Sequence, residues 1–199
     1  MTDKQTGERV LIVSGSEKGG AYFKKLTDEQ HYETAAVLSG AAETRRFLAE
    51  RDVDILIINT PLRDDFGLRL ALDTAADTDT GVLMVVKNDI YEQVSFQTEE
   101  TGVFILAKPL ASQSVIQALR LLSAARCKLR MLERKTASLE SKMEEIRLVG
   151  HAKLLLIDQM KMSEAEAHRY IERHAMDACV KRREIAMRII NRYGKGESS

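Results

Sequence analysis

The chain has 199 residues, 44% hydrophobic, 30% charged and 5% aromatic, with two Pro, two Cys and no Trp. That length supports one or two domains. No apolar run reaches the ~18 residues that suggest a membrane span, and the polar, mixed-charge segment after Met1 lacks a secretory h-region, so a cytoplasmic protein with no membrane contact is expected. Cys127 and Cys179 cannot form a disulfide framework and sit in no metal-ligand pattern, so no metal or cofactor is expected. Net charge is zero, yet 12 Lys and Arg face 19 Asp and Glu over 1–110, 8 face 4 over 111–147, and 10 face 7 over 148–199. The imbalance fits either an acidic globular part with a basic tail that meets a polyanion, or ordinary bias among solvated faces.

Five short apolar, β-prone runs lie in the first part, at Arg9–Val13, Thr34–Leu38, Ile55–Ile58, Val82–Val86 and Val103–Ala107. Helical spacing separates them, which predicts a βαβ alternation. Unbroken Val, Ile and Leu runs indicate strands covered on both faces, so the expectation for 1–110 is a five-stranded, parallel, doubly wound α/β domain. Such sheets place their sites at the C-terminal strand ends, here Ser14-Gly15, Asn59-Thr60-Pro61, Lys87-Asn88 and Lys108-Pro109.

On those residues the segment resembles the receiver domain of two-component response regulators. The resemblance implies a phosphoacceptor Asp after the third strand, an acidic magnesium pair after the first, a Ser or Thr after the fourth and a Lys before Pro after the fifth. Only Lys108-Pro109 keeps this pattern. Asn59 stands at the phosphoacceptor position, and an amide cannot form an acyl phosphate. Ser14 and Gly15 replace the acidic pair, whose carboxylates a hard divalent cation needs. Val86, or Lys87 after a one-residue shift, replaces the hydroxyl. The expectation is a pseudo-receiver in which Ser14, Asn59 and Lys108 either tie loops together or form a remodelled pocket for a regulatory protein or small ligand. Asp64 and Asp65 fall beyond the strand, on a loop or helix start, and do not rescue the site.

Between Ser112 and Val149 there is neither Pro nor Gly, and apolar residues recur at alternating threes and fours. With Leu122, Leu129, Thr136 and Met143 at a and Ala125, Leu132, Leu139 and Ile146 at d, the spacing predicts a coiled-coil dimerisation helix over 111–148. Lys128 to Glu133 and Lys135 to Glu140 are opposite-sign g–e′ pairs and favour a parallel homodimer, whereas Lys142 to Arg147 is a like-charge mismatch. The same face would also arise in a helix packed on its own domain. Gly150 is expected to end this helix.

Three shorter helices are then predicted over 149–194: one from about His151 to Met160, one opening on the Ser163-Glu164-Ala165-Glu166 capping box, and one through Ile185, Ile189 and Ile190 to Gly194, with a polar tail at 195–199. Arg182 lies beside the apolar stripe, either at its rim or against an anionic partner.

Residues 152–190 resemble the ANTAR domain, the RNA-binding module of bacterial antitermination regulators. The likeness rests on Ala152-Lys153, Leu155-Leu156, Met162-Ser163-Glu164, Glu166-Ala167-His168, Ala175-Met176-Asp177 and Arg183-Glu184-Ile185-Ala186; the order receiver, coil, ANTAR also matches the family layout. Cys179 departs from it where basic residues are common. The resemblance implies a dimer that binds two neighbouring RNA hairpins in a leader transcript and prevents terminator formation. Lys153, Arg169, Arg173, Lys181, Arg182 and Arg183 are the candidates for phosphate or base contact, and His168 or Tyr170 for stacking. A helix-turn-helix DNA-binding factor and a protein-interaction adaptor are the alternatives. With no nucleophile–base pair, Gly-rich phosphate loop or paired-carboxylate signature, an enzyme is not expected.

Overall fold

A computed structural model of the chain describes residues 7–194; the tail at 195–199 lies outside the described residues. The chain forms two compact units, one ending at Arg130 and the other starting at Met131.

In the first unit, strands β1 (Arg9–Ser14), β2 (Glu33–Leu38), β3 (Ile55–Asn59), β4 (Gly81–Lys87) and β5 (Phe104–Lys108) pair in parallel in the order β2-β1-β3-β4-β5. Each boundary lies within one residue of the apolar run that predicted it. Helices α1 (Glu17–Glu29), α2 (Ala41–Glu50), α3 (Leu68–Asp77) and α4 (Tyr91–Thr98) alternate with the strands. The central strands are apolar throughout because alternate residues feed two cores. Leu11, Val13, Leu56, Ile58 and Met84 pack with Ala41, Leu70 and Val94 on one face. Val10, Ile12, Ile55, Ile57 and Leu83 pack with Phe23 and Leu26 on the other.

The second face is closed by the start of helix α5 (Ser112–Met160), whose Val115, Ala118, Leu119 and Leu122 join that core. This corrects the placement of Leu122. At 7% exposure it is a core residue of the α/β unit, unavailable to a seam between chains. The later seam positions, Leu129, Leu132, Leu139, Met143 and Ile146, are all exposed.

A second correction concerns Gly150. It does not end the helix: α5 is one continuous element of 49 residues that runs through Gly150 to Met160. A glycine inside a helix costs only about 1 kcal/mol against alanine, and the hydrogen-bonded turns on both sides outweigh it. The expected first helix of the bundle is therefore the end of α5. It packs with α6 (Glu164–Asp177) and α7 (Arg182–Tyr193) around Ala152, Leu156, Ala167, Ile171, Ala175, Ile185, Ala186 and Ile189. The expected capping box opens α6: Ser163 Oγ accepts from the Glu166 amide at 3.3 Å, and Glu166 Oε2 accepts from the Ser163 amide at 2.8 Å. Between α6 and α7, Cys179 adopts φ +52°, and the Val180 amide donates back to the Ala175 carbonyl at 3.0 Å. That left-handed turn is ordinarily made by glycine, which is why the joint carried no turn signal.

Candidate functional site

Ser14 and Asn59 end adjacent strands and are register partners. Order 2-1-3 makes this junction the switch point of the sheet, where doubly wound folds open a crevice. Here it is closed. Asn59 Nδ2 donates to Ser14 Oγ at 2.9 Å, and that hydroxyl donates to the Ser16 carbonyl at 2.9 Å. Ser16 caps α1 by accepting from the Gly19 amide. A Cβ on Gly19 would lie 2.3 Å from Asn59 Nδ2 and 2.6 Å from Ser14 Oγ, so only glycine lets the first turn of α1 settle over the pair. Asn59 is 8% exposed, and its Oδ1 has no hydrogen-bond partner among the described residues.

The carboxylates that follow β3 are engaged elsewhere. Asp64 accepts from the Ala41 and Ala42 amides at 2.7 and 3.0 Å, at the start of α2. Those amides, Ala42 first, hold its carboxyl below the ordinary range. Asp65 Oδ1 accepts from the Gly67 amide at 2.6 Å. Lys108 Nζ donates to the Thr60 carbonyl at 2.6 Å, one residue past Asn59. Burial, and then the charge of Lys87, pull its pKa down. Val86 is fully buried. Ser14 and Asn59 are thus brought together, while Lys108 holds the neighbouring loop.

In the second unit the candidate RNA-contacting residues are spread over three helices, and most already have partners. Lys153 Nζ on α5 meets Glu164 at 2.8 Å. On α6, His168 Nε2 lies 3.2 Å from Glu172, Arg173 pairs with Asp177 at 3.8 Å, and Arg169 Nε donates to the Ala165 carbonyl at 3.2 Å. The Tyr170 ring stacks on His174, with centroids 3.9 Å apart, so one of its faces is taken. At the start of α7, Arg182 reaches Glu145 at 3.1 Å and Glu172 at 3.6 Å, and Arg183 reaches Glu144 at 3.1 Å. Lys181 makes no ion pair among the described residues.

Arg182 therefore has an anionic partner, which was one of its two expected explanations. Sequence reasoning missed which residues supply it. Glu145 on α5 and Glu172 on α6 supply it, and Glu144 on α5 does the same for Arg183; the α5 acids stand 37 and 39 positions away, and no local periodicity links them to α7. The only available signal was a doublet of acids on α5 and a doublet of arginines on α7.

Among the described residues, no helix is long and apolar enough to cross a membrane.

Residues 137–190 match the family model of the ANTAR domain. Over 194 residues, covering 96% of this chain and 94% of the relative, the sequence is 24% identical to the transcriptional regulatory protein PdtaR of Mycobacterium tuberculosis (strain ATCC 25618 / H37Rv). Among solved structures, the fold is similar to the signal receiver domain of an HD domain-containing protein from Pseudomonas fluorescens Pf-5, with 19% identity, a TM-score of 0.58, and coverage of 66% of this chain and 97% of that one. It is also similar to a CheY-like response regulator receiver domain protein from Methanospirillum hungatei JF-1, with 16% identity, a TM-score of 0.56, and coverage of 61% and 98%. The first unit thus has a receiver-like fold, and a segment that matches the ANTAR domain model follows it.

Proposed function

We propose that this chain, a receiver-like α/β domain joined by one long helix to an ANTAR domain, is a cytoplasmic, RNA-binding transcription antitermination regulator with no catalytic step of its own. The observation that carries the reading is the ANTAR match over 137–190, set within similarity to PdtaR along almost the whole chain. In this reading two chains pair through the exposed stripe Leu129, Leu132, Leu139, Met143 and Ile146, and their two ANTAR domains grip tandem hairpins of a leader transcript before a terminator forms. Sequence-specific RNA recognition favours loops whose bases can be splayed out. Coupling two modules raises apparent affinity through effective concentration without new contacts. The functional division is a receiver-like part over 1–110, a dimerisation helix over 111–148 and the RNA-binding part over 149–194.

The receiver-like domain acts in this reading as a pseudo-receiver. Asn59 offers a carboxamide instead of a carboxylate, Asp64 and Asp65 cap backbone amides, and no acid stands at Ser14 or Gly15. The input is then a protein or small ligand rather than a phosphoryl group.

Filter binding tests the proposal. Two-hairpin RNAs recovered by selection from a random-loop library should bind at least about tenfold tighter than the same stems with scrambled loops, a discrimination of ~1.4 kcal/mol. Equal affinity for the two sets, or displacement of RNA by duplex DNA, refutes it.

A further inference from the structure

Among the candidate RNA-contacting residues, Arg182 and Arg183 are engaged across helices inside the unit. Arg182 Nε and Nη2 both point at Glu145 Oε1, at 3.2 and 3.1 Å, while Nη1 approaches Glu172. Arg183 Nη2 contacts both oxygens of Glu144, at 3.2 and 3.1 Å. The two acids sit side by side on α5 and the two arginines side by side on α7, so the doublets face each other as a two-rung clamp.

We propose that Glu144 and Glu145 are internal stand-ins for RNA phosphates: they hold Arg182 and Arg183 closed in the free chain, and the transcript displaces them. The inference rests on the RNA-binding reading above.

Three physical arguments support it. First, a guanidinium recognises carboxylate and phosphate through the same planar fork of donors, so one anion can replace the other without rearranging the arginine. Second, the clamp is weak enough to open. The side chains of Arg182 and Arg183 are 48% and 39% exposed, those of Glu145 and Glu144 29% and 52%. Pairs in such solvated settings contribute little to folding, and the buried core of the unit is made by apolar side chains such as Leu156, Ile171 and Ala186.

Third, the Arg182–Glu145 pair separates two grooves. One, of about 820 Å³, is lined by Ala175, Met176 and Lys181. The other, of about 550 Å³, is lined by Val149, Lys153 and His168. Lys142, Glu145 and Arg182 border both. Parting the pair would leave one channel bordered by Lys142, Lys153, Lys181 and Arg182, with Glu172 the remaining acid and Val149, Ala175 and Met176 offering apolar surface, which suits an unstacked base and its flanking phosphates.

A clamp of this kind weakens binding to every anion by the fraction of time it is open. Only an RNA whose phosphates and base fill the channel recovers that loss, so the clamp favours the cognate hairpin over bulk polyanion.

The test uses the full chain, the selected two-hairpin RNA and the double variant E144Q/E145Q. Its charge-matched control is D158N/E184Q, which removes two acids whose carboxylates pair with neither arginine. The expected result is a Kd about three- to tenfold lower than wild type for E144Q/E145Q, a gain larger than the control's, and loss of binding in R182Q/R183Q. The guanidinium N–H protons of Arg183 in RNA-free protein, read through their nitrogen-15 signals, should exchange slowly with water in wild type and rapidly in E144Q/E145Q, and those of Arg182, which keeps Glu172, should exchange faster than in wild type. If wild type binds the RNA and E144Q/E145Q binds it no better than the control does, the carboxylates are structural staples and the clamp is overturned. If wild type binds no selected RNA although its arginine signals are protected, the RNA reading itself falls and takes the inference with it.

Discussion

Along α5, Val115, Ala118, Leu119 and Leu122 are at most 7% exposed, whereas Leu129, Leu132, Leu139, Met143 and Ile146, on a stripe of the same spacing, are 47% to 72% exposed. The first set completes the core of the α/β unit; the second has no cover among the described residues. The changeover is marked by two arginines one turn apart. Arg126, 6% exposed, donates to the Asp79 carbonyl at 2.7 Å and to Asp54 at 2.9 Å, and Arg130 reaches the same Asp54 oxygen at 2.6 Å. They pin the helix beside the start of β3, just where the first unit ends. Hydrophobic periodicity therefore reports which face of a helix is apolar, and leaves open what covers it.

The sharpest way to break this contrast is to place the same charge in both stretches. Leu119→Asp buries an unpaired carboxylate and should cost about 3–5 kcal/mol, a large part of a small domain's stability. The first unit should then melt early in denaturant. Leu132→Asp with Leu139→Asp should change protomer stability by less than about 0.5 kcal/mol, while sedimentation shows loss of the proposed dimer. A double variant that destabilises the protomer as severely as Leu119→Asp would mean that the exposed stripe is covered by its own chain.

The anchor at the changeover gives a smaller effect with a pH signature. Burial alone would raise the pKa of Asp54, but the Arg9 amide and the Arg130 and Arg126 guanidiniums outweigh it and hold the carboxyl below its ordinary value. A depressed folded-state pKa contributes stability above the ordinary carboxylate value, and this is lost as pH falls through the folded one. Asp54→Asn should therefore cost about 1–3 kcal/mol near neutrality, since Arg126 keeps only weaker partners. It should also flatten the acid limb of a melting-temperature profile. An unchanged acid limb would show that Asp54 carries no pH-linked stability.

What the sequence made legible follows the range of each interaction. The three central strands could be read because burial on both faces writes itself as contiguous apolar residues, the half-buried edge strands β2 and β5 from shorter apolar runs, and the α6 cap because Ser163 and Glu166 lie three residues apart. The fate of Leu122 could not be read, because core and seam demand the same side chain at the same spacing. Nor could the engagement of Asp64 with α2, or of Arg182 and Arg183 with α5, since those partners lie 22 to 39 positions away. Ser14 and Asn59 were each placed at a strand end by pattern. Their hydrogen bond, and the need for glycine at Gly19 above it, came only with the strand register.

The smallest expected effect concerns Gly150, where a local rule met a continuous helix. Its position is helical and a Cβ there would meet nothing within 4 Å, so no packing or backbone requirement calls for glycine. Gly150→Ala removes unfolded-state freedom and supplies a better helix former, which should stabilise the second unit by about 0.5–1 kcal/mol. A rise of a few degrees in its melting temperature would be the readout. The gain belongs to the helix running through, because alanine at a true break would have no helical state to favour. A fall in stability would place a bend at Gly150 and divide α5 into a coil helix and a separate first helix of the bundle, restoring there the boundary that the glycine first suggested.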